Sequence, residues 1–314
     1  MVCCKSWTNP AGLKLSVGEA MRVVVTGGSG RLGQYVVREL FTHAHQVSSL
    51  DCVKPRECPA PTYAVDLTKF NLLLDHFDKA DAVIHLARIR FPYTETGFDV
   101  ATQKWHFADL AGDAERFNQN LAITNNVLTA AEAAGIKKII CGSSLAVYGF
   151  YYPSKQLVPD YLPVDERHPL RPQDPYGLTK LIGENISDAV SQKSAIAVTS
   201  LRFSGIYSEA HRPMLLERKK NPLARGTGAL WSYIDARDAA RACRAALEAD
   251  LSGHQIFNIA APNSLVDIPT RELVGRYLPQ VRDLRAGLDA TGSGYSVARA
   301  KNVLGFEAKL SLVD

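Results

Sequence analysis

A glycine-rich turn between a short apolar strand and a helix constrains the fold of this chain most. Residues 22–26 form a β-branched run, which is typical of a buried parallel strand. Gly27, Gly30 and Gly33 follow, and apolar residues at helical spacing begin at once after them. In such a turn the first glycine permits the tight bend, the second lets the backbone approach a pyrophosphate, and the third lets the helix pack closely. Because the turn lies directly between a strand and a helix, it predicts a dinucleotide site at the helix N-terminus.

Strand-like and helix-like segments alternate along the rest of the chain. This alternation indicates an α/β fold with a doubly wound parallel sheet of the Rossmann type. Two long connections, residues 88–116 and the proline-rich residues 150–175, interrupt it. We expect both at the carboxyl ends of the strands, where ligands bind in such sheets. The predicted strands are 47–50, 63–65, 81–86, 138–142 and 195–203, and the predicted helices lie at 32–44, near 72–77, at 121–134 and near 175–193.

Composition and charge argue against several classes of protein. The chain is 46% apolar and 22% charged, which is typical of a globular protein rather than a disordered one. It has no apolar run of about 20 residues, so we expect no membrane contact, and its net charge of +4 is spread along the chain, so we expect no nucleic acid partner. The six cysteines lack the spacing of metal ligands, so we expect no bound metal. We expect them to be reduced thiols in a cytoplasmic protein. Residues 1–20 lack the pattern of a signal peptide, and we expect a disordered tail outside the fold.

An acidic residue ends the second predicted strand. Asp51 lies 18 residues after Gly33. A carboxylate at this position can accept hydrogen bonds from both hydroxyls of an adenosine ribose, and it repels a 2′-phosphate. The sequence therefore predicts NAD rather than NADP as the cofactor.

A tyrosine and a lysine four residues apart indicate proton chemistry. Tyr176 and Lys180 lie on one face of the predicted helix, and a positive charge beside a phenol stabilises the phenolate. Tyr176 can then act as a base near neutral pH. Ser144 follows the fifth strand at the carboxyl edge of the sheet, where its hydroxyl can bond the same substrate oxygen. The alternative for Ser144 is a serine that only caps the turn after the strand.

Several segments together resemble one known family. The chain carries TGGSGRLG at 26–33, HLA at 85–87, SSLAVYG at 143–149, LRF at 201–203 and the Tyr176–Lys180 pair. In this order the motifs resemble the extended short-chain dehydrogenase/reductases, also called the NAD-dependent epimerase/dehydratase family. The resemblance covers about residues 21–310.

This resemblance implies a role for each matching residue. Tyr176 would be the general base or acid, Lys180 would hold the nicotinamide ribose, and Ser144 would orient the reacting hydroxyl of the substrate. The residues expected to contact NAD, besides Tyr176 and Lys180, are Gly27, Gly30, Arg31, Leu32, Gly33, Asp51, Asp66, Leu67, Leu86, Ala87, Asn120 and Phe203.

The resemblance also implies a division into domains and a homodimer. The expected NAD-binding domain comprises residues 21–203 plus about 229–262. The expected substrate-binding cap comprises about 204–228 plus 263–314. Relatives pair through two long helices, which correspond here to about residues 110–135 and 175–193.

Departures from the family pattern bear on the substrate. The 4,6-dehydratases carry an Asp-Glu pair where this chain has Leu145 and Ala146, which speaks against a dehydratase. Tyr207 and Trp231 lie only 24 positions apart, whereas UDP-galactose 4-epimerases and their relatives have a longer stretch there that binds the nucleotide. In addition, Gly205 replaces an asparagine of the family pattern. Both features argue against a nucleotide sugar as the substrate. We therefore expect an NAD-dependent enzyme that dehydrogenates a small sugar or sugar acid. The alternatives are a UDP-sugar 4-epimerase and a non-catalytic NAD-binding sensor.

Four further residues are candidates for substrate contact. Arg88 follows the fourth strand, and Arg212 belongs to a basic segment at 211–225, so either could bind an anionic substrate. For the basic segment the alternative is a solvated surface. Ser143 and Tyr148 flank the end of the fifth strand, and the alternative for Tyr148 is packing beneath the pocket.

Overall fold

A seven-stranded parallel sheet forms the centre of the protein. The computed structural model describes residues 20–55, 57–99, 101–102, 104–107, 109–153, 157–224, 227–288 and 290–313, so the predicted tail lies outside the described residues except for Ala20. The strand order is β12-β9-β7-β4-β1-β2-β3, which confirms the predicted doubly wound α/β fold. The seven strands are β1 (Arg22–Thr26), β2 (Gln46–Asp51), β3 (Thr62–Ala64), β4 (Ala82–His85), β7 (Lys138–Ser144), β9 (Ala197–Phe203) and β12 (His254–Ile259).

Short strand pairs and nine helices complete the described part of the chain. The pairs are β5 (Phe98–Asp99) with β6 (Lys104–Trp105), β8 (Tyr161–Leu162) with β13 (Asp283–Leu284), and β10 (Ile206–Tyr207) with β11 (Ile234–Asp235). The helices are α1 (Arg31–Thr42), α2 (Asn71–Phe77), α3 (Tyr93–Thr96), α4 (Leu110–Ala133), α5 (Pro175–Lys193), α6 (Arg212–Lys220), α7 (Ala236–Glu248), α8 (Thr270–Tyr277) and α9 (Ala298–Leu304), with 3-10 turns at Leu145–Tyr148 and Glu209–His211.

Alternate residues of the central strands feed two separate cores. On β1, Val23 and Val25 pack in a core with α1 and α7, whereas Val24 packs in a core with α2 and α4 on the opposite face. This period of two is the geometry of a strand buried on both faces. β1 pairs in parallel with β2 on one side and with β4 on the other. The direction of winding reverses between β1 and β4, and such a switch point places a ligand cleft at the carboxyl ends of these strands.

Helix α4 begins earlier than predicted. Its first turn starts at Leu110, so the connection after β4 ends at residue 109 rather than at 116. The side chain of Asp109 caps this turn by accepting a hydrogen bond from the N–H of Gly112 at 3.0 Å. The first turns of α4 are mostly polar and exposed, so they carry no apolar periodicity. The helix ends as expected before Gly135, which has a φ of +69°.

A third core lies beneath the carboxyl edge of the sheet. It joins the 3-10 turn after β7 to residues from α6, from α8 and from the last residues described, including Leu312 and Val313. Many residues of this core come after position 263, in the part of the sequence that we expect to form the substrate-binding cap. Among the described helices, none is both long and apolar enough to cross a membrane.

Candidate functional site

A cleft of about 770 Å³ runs along the carboxyl edge of the sheet. We call the part beside Asp51 and Asp66 the aspartate end, and the part beside Ser144, Tyr176 and Lys180 the tyrosine end. Most residues predicted from the sequence line this cleft. They are Gly27, Gly30, Arg31, Leu32, Gly33, Asp51, Asp66, Leu67, Leu86, Ala87, Arg88, Ser143, Ser144, Tyr176, Lys180 and Phe203, whereas Asn120, Tyr148 and Arg212 lie outside its lining.

The glycine turn presents bare backbone to the cleft. Gly27 has a φ of +75°, and a Cβ there would lie only 2.6 Å from the backbone nitrogen of Ala87. A Cβ on Gly33 would collide with the carbonyl oxygen of Gly27, so α1 can pack this closely only with glycine. The N–H of Gly30 donates to the carbonyl of Gly27 at 3.0 Å and closes the turn. Close backbone packing of this kind forms the tight turn that approaches a pyrophosphate in dinucleotide-binding folds.

Backbone donors fix the carboxylate of Asp51. One oxygen accepts a hydrogen bond from the N–H of Ser29 at 3.0 Å, and the other accepts from the N–H of Val53 at 3.3 Å. The carboxylate therefore stands at the rim of the cleft, beside the glycine turn. Asp66 lies close by, since the N–H of Val65 donates to the carbonyl of Asp51. Hydrogen bonds from Thr68 hold the pKa of Asp66 below its usual range.

Helix α5 carries Tyr176 and Lys180 at the tyrosine end. The Nζ of Lys180 donates to the carbonyl of Gly142 at 2.7 Å and lies 6.0 Å from the ring centroid of Tyr176. Burial, together with the nearby charge of Arg88, lowers the pKa of Lys180 to about 8. The ammonium is still mostly charged at neutral pH. It can therefore stabilise a phenolate on the neighbouring tyrosine.

A buried carboxyl group anchors the start of α5. Asp174 caps the helix by accepting from the N–H of Gly177 at 2.9 Å, and it also accepts from the hydroxyl of Tyr93 at 2.8 Å. The same Tyr93 oxygen accepts from the N–H of Tyr176 at 2.9 Å. Burial raises the pKa of Asp174 to about 6. These bonds fix the backbone of Tyr176 relative to the connection that follows β4.

Ser144 caps the turn after β7 and also lines the cleft. It ends β7 at the wall of the cleft, and its Oγ accepts a hydrogen bond from the N–H of Ala146 at 3.1 Å. This bond uses a lone pair of the hydroxyl oxygen and not its proton. Capping the turn therefore leaves Ser144 able to donate to an oxygen in the cleft.

The hydroxyl groups of Ser143 and Tyr148 belong to a buried polar network instead. Ser143 donates to Glu184 at 2.6 Å, and Glu184 forms an ion pair with Arg202 at 2.7 Å. Arg202 donates to the hydroxyl of Tyr148, which itself donates to Asn258 at 2.8 Å. Tyr148 is fully buried beneath the cleft, which is the alternative considered for it. Its partners lie far away in sequence, so no local pattern could have revealed them.

Asn120 and Arg212 do not line the cleft. The side-chain amide of Asn120 accepts from the N–H of Ile89 at 2.9 Å and donates to the carbonyl of Ile89 at 3.0 Å. It thereby fixes the chain just after β4. Arg212 begins α6 and lies 3.6 Å from the carboxylate of Glu209. The geometry thus gives Asn120 a supporting contact to Ile89, which lines the cleft, and pairs Arg212 with Glu209.

Several residues that were not among the predicted site residues line the tyrosine end. The rings of Trp105 and Tyr152 meet edge to face with centroids 4.7 Å apart, and Tyr152 lies 6.1 Å from Tyr176 in the same way. Tyr151 and Ser204 also line the cleft, and the buried Oγ of Ser204 has no hydrogen-bond partner among the described residues. Trp105, Tyr151 and Tyr152 come from the two long connections. Their position in these connections was the feature of the sequence that could have indicated a place in the site.

The described residues contain no group of three or more His, Cys, Asp or Glu side chains that could hold a metal ion. His85, which a motif places near the cleft, is buried and bonds Thr26 at 2.7 Å. Burial lowers its pKa to about 3, so it is neutral at physiological pH. It is a core histidine.

Comparison with known proteins agrees with this geometry. The chain is 28% identical to the UDP-glucose 4-epimerase of Corynebacterium glutamicum over 91% of its own length and 90% of that protein. It is 24% identical to the UDP-glucose 4-epimerase of Lactobacillus helveticus over 94% of both chains.

Solved structures share the fold. A short-chain dehydrogenase/reductase superfamily protein from Agrobacterium tumefaciens with bound NAD superposes with a TM-score of 0.66, at 24% identity and 93% coverage of both chains. UDP-glucose 4-epimerase from Bifidobacterium longum, in complex with NAD+ and UDP, gives a TM-score of 0.65 at 21% identity, with 93% of this chain and 94% of that chain covered.

A family profile matches most of the chain. It is that of the NAD dependent epimerase/dehydratase family, and it spans residues 23–260. The predicted cofactor, NAD, is thereby confirmed at the level of the family. The motifs, the cleft and the profile agree, and the chain belongs to the NAD-dependent epimerase/dehydratase family.

Proposed function

We propose that this chain is an NAD-dependent enzyme that oxidises a secondary alcohol of a sugar, with Ser144, Tyr176 and Lys180 as its catalytic residues. The observation that carries the proposal is the meeting of these three side chains at one end of a cleft whose other end fits a dinucleotide. Gly27, Gly30 and Gly33 leave room for its pyrophosphate. Asp51 presents a carboxylate to its adenosine ribose.

Each catalytic residue has a defined task in this proposal. The phenolate oxygen of Tyr176 accepts the proton of the substrate hydroxyl, and the positive charge of Lys180 lies near its ring and attracts the negative charge of a phenolate. The hydroxyl proton of Ser144 bonds the same substrate oxygen and orients it. The carbonyl of Gly142 holds the ammonium of Lys180 in place. NAD, when bound, supplies the acceptor for the hydride.

Two net reactions follow from this chemistry. If the hydride returns to the opposite face of the oxidised carbon, the result is epimerisation. The similarity to two proteins named UDP-glucose 4-epimerase, over 90% or more of each chain, supports epimerisation of a nucleotide sugar as the first candidate.

Net dehydrogenation of a free sugar or sugar acid is the second candidate. It is favoured by Gly205, which stands where the family pattern has asparagine. A Cβ there would lie 2.9 Å from the ring of Tyr207, so this position has no room for an amide side chain. Any hydrogen bond to the substrate that depends on that amide is therefore absent from this chain.

The deciding experiment follows the absorbance of reduced nicotinamide with purified protein, excess NAD and a panel of aldoses, uronates and UDP-sugars. Conversion of a UDP-sugar to its C4 epimer without accumulation of NADH would support the first candidate. Steady accumulation of NADH with a free sugar or sugar acid would support the second. If the protein binds NAD but converts none of these compounds, the proposal of a sugar enzyme is wrong and a sensor becomes the better description.

A further inference from the structure

Arg88 holds a guanidinium group against the ring of Tyr176. It comes three residues after the last residue of β4 and lines the tyrosine end of the cleft. Its guanidinium carbon lies 5.1 Å from the centroid of the Tyr176 ring. A cation at this distance is attracted by the face of the ring. The charge therefore stands beside the ring of the tyrosine that meets the substrate in the proposed function.

The backbone on both sides of Arg88 is fixed. The N–H of Leu86 donates to the carbonyl of Thr26 at 3.0 Å and so continues the pairing of β4 with β1. On the other side, the amide of Asn120 bonds both backbone groups of Ile89. Arg88 is thus presented from an anchored segment, and preorganisation of this kind lowers the entropic cost of binding a ligand.

The charge of Arg88 is uncompensated within the described residues. The only carboxylates among the described residues that line the cleft are Asp51 and Asp66, and both belong to the aspartate end. Glu184 lies near Lys180 but is occupied by Arg202 and by Ser143. Arg88 also opposes the protonation of Lys180, whose pKa is about 8. Two cations at one end of a cleft repel each other, and an anion bound between them would remove that cost.

We propose that Arg88 binds a carboxylate that the substrate carries next to the carbon being oxidised, so that the substrate is a sugar acid, either free or linked to a nucleotide. This proposal rests on the proposed function. A guanidinium offers two parallel N–H groups that match a carboxylate. The diphosphate of a nucleotide sugar is a less suitable anion, because it is attached at the anomeric carbon, across the sugar ring from C4. Arg88 lies at the ring of the tyrosine that touches the reacting hydroxyl.

The test measures binding rather than turnover. Isothermal titration calorimetry on the protein saturated with NADH, which cannot accept a hydride from the sugar, would compare glucose, glucuronate, UDP-glucose and UDP-glucuronate. The wild-type chain should bind the acid more tightly in each pair. Arg88→Gln should weaken the binding of both acids by about 10- to 100-fold and leave UDP-glucose unchanged. Arg88→Lys keeps the charge without the planar pair of donors, and it should recover only part of the loss.

A matched control separates this effect from loss of charge or of folding. The guanidinium carbon of Arg285 lies 3.3 Å from the ring centroid of Tyr161, and this residue does not line the cleft. Arg285→Gln removes the same charge from a tyrosine ring elsewhere and should leave all four affinities unchanged. The affinity for NAD, measured in each variant, reports whether the cleft is still folded.

Three results would overturn the assignment of a carboxylate to Arg88. Equal losses for UDP-glucose and UDP-glucuronate in Arg88→Gln would mean that Arg88 binds the diphosphate. Unchanged affinity for all four compounds would mean that it acts only on Tyr176. A wild-type chain without preference for the acids would also refute it. The assay measures binding, so its result is independent of the net reaction. If the wild-type chain prefers glucuronate but epimerises no UDP-sugar, epimerisation of a nucleotide sugar is contradicted, while the assignment of a carboxylate to Arg88 is supported.

Discussion

Replacing Glu184 with glutamine should destabilise the folded chain strongly. The side chains of Glu184 and Arg202 are only 4% and 2% exposed, and they form an ion pair through two nitrogens of Arg202, at 2.9 and 2.7 Å. Ser143 adds a third hydrogen bond to the same carboxylate at 2.6 Å. Glutamine keeps the shape of the side chain and removes its charge. Arg202 would then be a buried cation without an anion.

The expected magnitude follows from the burial of the pair. Removing one partner of a buried ion pair costs about 3–5 kcal/mol of unfolding free energy. Unfolding entropy of about 2.1 cal/mol/K per residue amounts to roughly 0.66 kcal/mol/K for a chain of 314 residues. The midpoint of thermal unfolding should therefore fall by about 5–8 °C in Glu184→Gln. Scanning calorimetry or circular dichroism, at equal protein concentration and without NAD, would measure it.

Two further variants isolate the cause. Glu307 pairs with Lys301 at 2.9 Å on the surface, where the two side chains are 42% and 59% exposed, so Glu307→Gln should cost less than about 1 kcal/mol. The double variant Glu184→Leu with Arg202→Met removes both buried charges and should be more stable than Glu184→Gln alone. The reasoning fails if Glu184→Gln melts like Glu307→Gln, or if the double variant is less stable than the single one.

Four other predictions follow from the site. Tyr176→Phe should abolish turnover while calorimetry still detects NAD binding, and full activity would contradict the proposed base. Asp51→Ala should weaken the preference for NAD over NADP, and an unchanged ratio of the two affinities would refute its role. Burial raises the pKa of Asp174 to about 6 against about 3.9 in the unfolded chain, so its favourable contribution is complete below about pH 4 and is lost as the pH rises through 6. Chemical unfolding should therefore show the stability difference shifting toward Asp174→Asn by about 2 kcal/mol between pH 4 and pH 7, and a constant difference would contradict this. We also expect a homodimer through α4 and α5, and light scattering that reports a monomer at working concentration would exclude it.

The sequence predicted the features that depend on local spacing. The glycine turn, the end of β2 at Asp51 and the helical face of Tyr176 and Lys180 follow from periods of two and 3.6 residues and from turn chemistry. For this reason six of the seven strands could be anticipated, and most of the predicted site residues line the cleft, whereas β12 was not among the predicted strands. The apolar pattern predicts α4 only from residue 121, because the buried residues of its earlier turns, Asp113 and Asn120, are polar; a start near residue 110 followed only from the family resemblance.

The sequence did not predict which hydrogen-bond partner each buried polar side chain has. Ser143 and Ser144 are neighbours at the end of β7, but successive side chains of a strand point to opposite sides. Both residues contribute to the cleft lining, but the hydroxyl of Ser143 bonds Glu184, 41 residues away, whereas that of Ser144 accepts from the N–H of Ala146. Tyr148 likewise bonds Asn258, 110 residues away. Contacts of this range are fixed by the packing of helices on the sheet.

The third core has a consequence for the order in which the protein can assemble on the ribosome. The cores on the two faces of β1 draw most of their residues from the first 260 positions, whereas the third core also requires Leu312 and Val313, both almost completely buried. Chains fold from the N-terminus during synthesis. The surface for the dinucleotide can therefore form while the last segment is still within the ribosome. The third core is completed only after that segment has emerged.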